Sequence, residues 1–338
     1  HEGLFSTELG QMKYRQLQLR RNHSSSVPNS IDIYTPIYGQ YLPELPLFIN
    51  TEEQQRYFAL NLQDQIFLND QWSVLFGARF DHVTQDFQNK LAGTSSKKDL
   101  QQTSPRLGLN YRLNDRWSWY ANYGESFALN SGMDRNGDVF NPEKGKSYEI
   151  GGKYRITPQS LLSLALFKMD KENVLTTDPT DSNYQITAGE VSSKGLEVDL
   201  ETQLNDQFAI RANYSYTDAQ VEKDQSLAKG SRLSNVPKHS GSISSNYEWT
   251  LANADKVGLG ATAIYVGKRS GHSTDNGFNL PEYTLLNLNA YYAPTDQLRY
   301  QFNVHNLLDE TYYVASYSDM WIQPGDPLNA SISVQWKF

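Results

Sequence analysis

Apolar and polar side chains alternate along most of this chain, and that period of two constrains the fold more than any other feature. From Tyr148 to Ile156, every second residue is apolar, aromatic or glycine, and the residues between them are charged or glycine. Side chains of a strand point alternately to its two faces, so this stretch predicts a strand with one apolar and one polar face. Residues 72–81 and 208–216 repeat the pattern, and the chain ends with it at 331–338.

Segments of this kind recur through the whole sequence, and we count about fourteen of them. They begin near residues 3, 54, 71, 101, 116, 145, 160, 186, 208, 236, 256, 283, 298 and 330. Almost no stretch places apolar residues at the spacing of a helix face. The sequence therefore predicts an all-β protein.

The composition excludes several classes of protein. Without cysteine, the chain can form neither a disulfide framework nor a thiolate metal site. Its net charge of −8 and the lack of a long Lys/Arg run argue against nucleic acid as a partner. Mean hydropathy is −0.63, and no apolar run approaches the ~20 residues of a membrane helix. Yet 22 Tyr, 14 Phe and 6 Trp make the chain unusually aromatic.

The connections between the segments are alternately short and long. Short turns rich in Asn, Asp and Pro occur at 68–71, 113–116, 156–159, 204–207 and 294–297. Long polar stretches lie at 21–52, 87–102, 129–143, 173–186, 218–235, 268–282 and 315–329. Short turns at one end and long loops at the other are typical of outer-membrane β-barrels, with the turns in the periplasm and the loops outside. Only every second strand residue of such a barrel faces lipid, which accounts for the low hydropathy.

A soluble β-sandwich or propeller is the alternative, because its strands also alternate. The predicted strands of about 10–20 residues are long for such a protein. Tyr247 and Trp249 precede one turn, and Trp117 and Trp119 follow another. Aromatic residues at strand ends are typical of a barrel where it meets the membrane surface. These features favour a transmembrane antiparallel β-barrel.

Several stretches, taken in order along the chain, resemble TonB-dependent siderophore receptors. They are SPRLGLNYRLNDRWSWYANYGESF (104–127), NPEKGKSYEIGGKY (141–154), SSKGLEVDLE (192–201), ANYSYTDAQV (212–221), NVPKHSGSISSNY (235–247) and NVHNLLDETYYVAS (303–316). The resemblance extends from IDIYTPIYG (31–39) to Phe338. It is specific for the family and not for a particular ligand.

The resemblance implies a barrel of about 22 strands, a plug domain inside it and a short motif that contacts TonB. We find no plug and no such motif here, so residues 1–338 are interpreted as one domain, the C-terminal part of the barrel. A complete barrel of about 14 strands is the competing interpretation. The resemblance further implies a monomer in the bacterial outer membrane. It would contact membrane lipid and lipopolysaccharide and work with the TonB complex.

No constellation in the sequence predicts catalysis or a bound cofactor. The six histidines are never at metal-ligand spacing, and no GxSxG motif is present. The tripeptide GKS at 145–147 matches the end of a phosphate-binding loop motif, but Phe140 occupies the position where that motif requires its first glycine. We therefore expect neither an enzyme nor a cofactor. Charged residues of the polar strand faces, such as Arg106, Lys153 and Glu197, are expected to line the lumen and to hydrogen-bond a plug. The alternative is that they set the selectivity of an open channel.

Aromatic residues in the long loops are the strongest indication of a binding site. Rigid aromatic side chains offer contact area at low entropic cost, which suits the bulky, partly apolar complex of iron with a siderophore. Arg135 adds charge complementarity for an anionic complex, and Arg232 and Arg269 are further candidates for that role. Tyr41 lies in the first long loop and Tyr312 near the last. The predicted ligand-binding residues are Tyr34, Tyr38, Tyr313, Tyr317, Trp321 and Arg135. The alternative for each aromatic residue is that it packs one loop against another or belongs to the outer girdle.

Taken together, these features predict an outer-membrane receptor that takes up a ferric siderophore with energy from TonB. A passive porin or a surface-docking barrel is one alternative function. A TonB-dependent receptor for haem or cobalamin is another, because those receptors share the same architecture.

Overall fold

The computed structural model describes residues 1–20, 32, 34–39, 44–181 and 184–338, and these residues form eighteen β-strands. The strands are β1 (Glu2–Leu19), β2 (Leu47–Phe67), β3 (Trp72–Asn89), β4 (Thr94–Arg112), β5 (Trp117–Ala128), β6 (Glu143–Thr157), β7 (Ser160–Thr177), β8 (Gln185–Gln203), β9 (Phe208–Lys223), β10 (His239–Thr250), β11 (Lys256–Val266), β12 (Arg269–Ser270), β13 (Asn279–Leu280), β14 (Tyr283–Ala293), β15 (Leu298–His305), β16 (Tyr313–Ser318), β17 (Trp321–Pro324) and β18 (Asn329–Trp336). Within the described ranges, no helix is long and apolar enough to cross a membrane.

Fourteen of the strands form one antiparallel sheet, in the order β1-β2-β3-β4-β5-β6-β7-β8-β9-β10-β11-β14-β15-β18. Each sheet strand corresponds to one predicted segment, so the all-β antiparallel prediction is confirmed. The pairs β12–β13 and β16–β17 are two-stranded ribbons within the long connections. In the described part of the chain, β1 and β18 each pair on one side only. This sheet therefore does not close on itself as a complete 14-stranded barrel would.

The register gives the sheet one apolar and one polar face, because residues directly opposite each other on neighbouring strands share a face. Phe76 of β3 is opposite Leu107 of β4, and both are exposed on the apolar face, which we name the outer face. Ser73 is opposite Asn110 on the polar, inner face. An exposed apolar surface that runs across a whole sheet is unstable in water and suits contact with lipid.

Aromatic rings line the outer face beside the short turns. Trp72 stacks on Tyr111 with 4.3 Å between the ring centroids, and Trp117 stacks on Tyr154 at 4.2 Å. The same row contains Trp119, Phe208, Tyr247, Trp249, Tyr292 and Tyr300. The residues predicted to form an aromatic girdle thus lie where a girdle requires them, at one border of the apolar face.

A second set of tyrosines marks the border of the outer face nearer the long loops. Tyr214 shares a hydrogen bond of 2.8 Å with His239, and Tyr265 donates one of 2.8 Å to Glu282. A ring with an apolar body and a hydrogen-bonded hydroxyl suits the boundary between an apolar and an aqueous phase. The apolar face is therefore bounded on both sides, as a membrane-spanning band is.

The short turns owe their shape to a repeated Leu-Asn-Asp sequence. In the β2–β3 turn, the side-chain oxygen of Asn69 accepts hydrogen bonds of 2.9 Å from the N–H groups of Gln71 and Trp72. Asn114 and Asn205 do the same in the β4–β5 and β8–β9 turns. These bonds stabilise a tight turn from within, which is why the sequence predicts the turns so well.

Two of the connections are shorter than the sequence predicts. β3 and β4 remain paired up to Asn89 and Thr94, so the prediction of a long loop at 87–102 is wrong. β7 and β8 likewise remain paired up to Thr177 and Gln185, inside the stretch 173–186 that is predicted as a loop. Backbone pairing in these places continues beyond the apolar band, where the alternation of side chains no longer marks a strand.

Ion pairs hold the extended ends of β1, β2 and β3 together. The Glu52 carboxylate lies 2.5 Å from the Lys13 ammonium and 2.6 Å from that of Lys90. Nε of Arg15 lies 2.7 Å from the same carboxylate. The hydrogen bond from Lys13, with a second from Lys90, lowers the pKa of the Glu52 carboxyl to about 2. A carboxyl with a lowered pKa keeps its partners until the pH falls to that value, so this link persists in mild acid.

Candidate functional site in the long loops

Three of the long connections pack together at the loop end of the sheet, and we name them the loop cluster. They are 224–238, 267–282 and 306–328. Asn235 joins all three connections. Its side-chain nitrogen donates to the Ser316 carbonyl at 2.8 Å, and its side-chain oxygen accepts from the Ser316 N–H at 2.9 Å. Its own N–H donates to the Ser270 carbonyl at 2.8 Å, so the three loops form one packed unit.

Arg269 anchors the loop cluster from inside, with 1% of its surface exposed. Its guanidinium donates to the carbonyl oxygens of Tyr313 and Val314, the latter at 3.0 Å. It also lies 5.4 Å from the centroid of the Tyr283 ring. The structure thus gives Arg269 an internal packing role, in contrast to the expected contact with an anionic ligand.

Replacing Arg269 with methionine should loosen the loop cluster while the sheet still assembles. Each buried carbonyl that loses its donor costs about 1–3 kcal/mol. We expect a protease to cleave Arg269→Met within the cluster at least about tenfold faster than the parent protein. Arg232→Met is the matched control, because the Arg232 guanidinium donates over a longer distance of 3.4 Å to the Lys268 carbonyl. Equal cleavage of the two variants would contradict the anchoring role.

The β16–β17 hairpin carries an exposed aromatic pair. Tyr317 and Trp321 are 68% and 66% exposed, and their ring centroids are 6.2 Å apart. Both residues lie in the predicted loop at 315–329, whereas in the structure Tyr317 belongs to β16 and Trp321 begins β17. Tyr313 lies at the base of the same hairpin, where its carbonyl oxygen accepts from Arg269. Two large rings held side by side in solvent form a surface that a partly apolar ligand would cover.

Tyr34 and Tyr38, in the connection between β1 and β2, are also exposed, by 88% and 81%. That connection lies at one edge of the sheet, whereas the hairpin pair lies between β15 and β18 at the other edge. The two aromatic groups therefore lie at opposite ends of the strand order, and their joint contact with a ligand stays a prediction. Tyr41 lies outside the described residues.

Arg135 connects two neighbouring loops. Its Nη1 donates to the Thr180 hydroxyl at 2.7 Å, and that hydroxyl donates to the Asp178 carboxylate at 2.6 Å. The hydrogen bonds from Thr180 lower the pKa of the Asp178 carboxyl. The guanidinium is therefore engaged in a contact between loops, and its part in ligand binding stays a prediction.

A buried polar cluster that the sequence analysis does not predict fixes the β5–β6 loop to the inner face. Glu53 accepts hydrogen bonds from Gln85 at 2.8 Å and from the Ser131 hydroxyl. Gln85 also donates to the carbonyl of Asn130 at 2.8 Å. These partners are 32 to 78 residues apart in the chain, so no local pattern could have revealed them.

The structure has long antiparallel strands, an apolar outer face bounded by aromatic rows, a polar inner face and long loops with exposed rings. Together these features define an outer-membrane receptor barrel. Residues 3–307 match the family model described as TonB dependent receptor-like, beta-barrel, and the chain belongs to that family. The resemblance noted in the sequence is confirmed by this match, and so is the predicted localisation in the outer membrane.

Individual relatives are receptors for metal complexes. The metal-pseudopaline receptor of Pseudomonas aeruginosa is 39% identical over 341 residues, which cover 99% of this chain and 48% of that receptor. The ferrioxamine B receptor of Salmonella typhimurium is 30% identical over 349 residues, 98% of this chain and 49% of the receptor. The solved ferric-catecholate import receptor of Escherichia coli K12 shares the fold, with a TM-score of 0.76 at 21% identity, covering 99% of this chain and 52% of that one. The chain thus spans about half the length of the curated relatives it matches.

Proposed function

We propose that this chain is part of an outer-membrane receptor that takes up a ferric siderophore, or a similar metal complex, with energy from TonB. Residues 1–338 constitute one domain, the C-terminal part of the barrel. The observation that carries the proposal is the exposed Tyr317–Trp321 pair, held on a hairpin above a sheet with an apolar outer face. Relatives named for metal-pseudopaline, ferrioxamine B and ferrichrome support the ligand class.

Each part of the structure has a role in this function. The rings of the hairpin give a bulky complex contact area, and the tyrosine hydroxyl and indole N–H give it hydrogen bonds. The metal stays with its chelator, so the receptor needs no metal ligands of its own. The outer face contacts membrane lipid and lipopolysaccharide around a monomeric barrel. Energy from the TonB complex reaches a plug inside the barrel, and the plug releases the bound complex inwards.

Uptake by an iron-starved strain that lacks its own receptors tests this function. The strain expresses the complete gene product and is supplied with one complex at a time. The complexes are ferrioxamine B with radioactive iron, ferrichrome with radioactive iron, and a labelled metal-pseudopaline complex. We expect uptake of at least one complex, and we expect its loss in a strain without TonB. Uptake that persists without TonB would assign the chain to a passive porin, the alternative function.

The orientation of the barrel is tested by epitope insertion. Gly137, at φ 85°, occupies the turn of the β5–β6 loop, and a side chain added there would meet no atom within 4 Å. We expect an epitope at Gly137 to bind antibody on intact cells. One at Asn205-Asp206, in the short β8–β9 turn, should bind only after the outer membrane is permeabilised. Surface labelling at Asn205-Asp206 would reverse the orientation.

A further inference from the structure

The inner face is divided into two walls of different chemistry. The charged wall, on β4 to β9, carries Arg106, Lys153, Arg155, Glu197, Asp199 and Arg211. The uncharged wall, on β10, β11, β14, β15 and β18, carries Ser242, Ser244, Asn246, Asn289, Gln301 and Asn303. These five strands are described throughout, and their inner-face Asp, Glu, Lys and Arg residues lie at the turn end, at Glu248, Lys256 and Arg299.

Several charges of the charged wall have no partner within the sheet. Four of them form no ion pair and no side-chain hydrogen bond with another residue that the structure describes: Arg106, Arg155, Glu197 and Asp199. Unpaired charges of both signs on a confined surface favour a partner of complementary charge. The charged wall therefore fits the folded, polar plug of the proposed receptor.

Some polar groups of the uncharged wall, by contrast, are already hydrogen-bonded within the sheet. At the border between the walls, Asn213 donates to the Ser242 hydroxyl at 2.7 Å and accepts from the Ser242 N–H at 3.1 Å. Gln301 donates to the side-chain oxygen of Asn303 at 2.8 Å. Groups that are already bonded need no further partner, so Ser242, Gln301 and Asn303 do not require the plug.

An asparagine row crosses the uncharged wall at one level. Asn246 and Asn289 are both opposite Gly260, and Asn289 is opposite Asn303. A side chain added at Gly260 would collide with both neighbouring amides. The row thus presents amide groups on three strands without a charge or a bulky apolar residue between them.

We propose that the uncharged wall lines the path along which the metal complex passes the plug, and that the charged wall holds the plug. This inference rests on the proposed function. Neutral hydroxyl and amide groups bind a polar solute weakly at successive sites, whereas fixed charges would retain it. The hairpin with Tyr317 and Trp321 connects β15 to β18, so the capture surface stands above the same wall.

Single cysteines distinguish the two walls, because residues 1–338 contain no other cysteine and any cysteine elsewhere in the gene product is first replaced by serine. Asn289→Cys places a thiol on the uncharged wall. Ser163→Cys places one on the charged wall, since Ser163 is opposite Lys153 and Asp199. In the complete gene product in outer-membrane vesicles, we expect a small maleimide to label Asn289→Cys at least about tenfold faster than Ser163→Cys. Equal labelling rates would overturn the division into an open and a covered wall.

A bulky thiol reagent then tests the path itself. Its attachment to Asn289→Cys should lower uptake of the transported complex at least about tenfold and leave equilibrium binding at the cell surface unchanged. Uptake by the same variant without reagent is the reference for this loss, and its heat-modifiable, folded fraction is the control for folding. Undiminished uptake after complete labelling would overturn the path. If the parent receptor imports none of the complexes, the proposed function fails, and the labelling ratio still decides between an open and a covered wall.

Discussion

Replacing Leu288 with arginine should cost the barrel about 2–4 kcal/mol of folding free energy, the penalty of a cation at the middle of the lipid-facing surface. Leu288 lies on the outer face of β14, opposite Ala261 and Val304. It is halfway between Tyr292 in the aromatic row and Thr284, which is opposite Tyr265 at the other border. The measurement is the fraction of heat-modifiable, folded protein across a urea series in lipid vesicles.

Thr262→Arg is the matched control for Leu288→Arg. Thr262 follows Ala261, so it lies at nearly the same depth, but it faces inwards, opposite Ser244 and Asn287. An arginine there projects into the lumen and should cost much less. Val334 is a poorer test position, because it is opposite Tyr300 in the aromatic row, near the surface of the bilayer. Equal destabilisation by Leu288→Arg and Thr262→Arg would mean that both faces are buried in protein, as in a sandwich.

Removing both rings of the hairpin should weaken binding of the metal complex by about 2–4 kcal/mol, as truncated aromatic anchors do. That corresponds to about thirty- to several-hundred-fold in affinity. Tyr317→Ala/Trp321→Ala should assemble normally, because both side chains are mostly exposed and neither supports the sheet. The measurement is equilibrium binding of the transported complex to the complete gene product in detergent.

Two further variants separate ring contact from other effects in the hairpin loop. Tyr317→Phe keeps the ring and removes the hydroxyl, so affinity close to that of the parent would assign the energy to ring contact. Leu308→Ala removes an apolar side chain of the same connection that is 67% exposed, and it should leave binding unchanged. Parent affinity in a folded double variant would reassign Tyr317 and Trp321 to contacts other than the ligand.

The alternation of side chains is enough to predict the fourteen strands of the sheet, because lipid requires an apolar residue at every second position. The residue types of the short connections predict the turns, because Asn69, Asn114 and Asn205 form hydrogen bonds within their own turns. Both signals are local, so a single sequence contains them. The two ribbons in the long connections are too short to show a period, so the side-chain pattern does not predict them.

The prediction fails where strands leave the apolar band. In β3, the outer-face residues after Phe80 are His82, Thr84 and Asp86, so the outer face turns polar while the strand continues. Backbone pairing, together with a hydrogen bond from the Thr84 hydroxyl to the Asp99 carboxylate, carries β3 and β4 onwards to Asn89 and Thr94. Pairing of this kind depends on the neighbouring strand and leaves no mark on the side-chain pattern.

The sequence predicts the exposed aromatic rings of the candidate site, but it does not predict how the loops of the site pack together. Tyr317 and Trp321 stand out because large aromatic residues in a polar loop have no place in the alternating wall. Arg269 looks like a surface cation in the sequence, and its burial follows from carbonyl oxygens 44 and 45 residues away. Asn235 meets Ser316 over a separation of 81 residues. Such contacts exist only once the strands have brought their loops together.

The reciprocal pair of Asn235 and Ser316 sets a limit on how ligand specificity can be transferred between receptors. A chimera that exchanges only 306–328 replaces one half of this pair and removes the carbonyl acceptors of Arg269. The buried amide and guanidinium left in the host would lack partners, and the grafted hairpin would lose its support. Specificity is therefore expected to move between receptors only when 224–238, 267–282 and 306–328 are inherited together, as a single module.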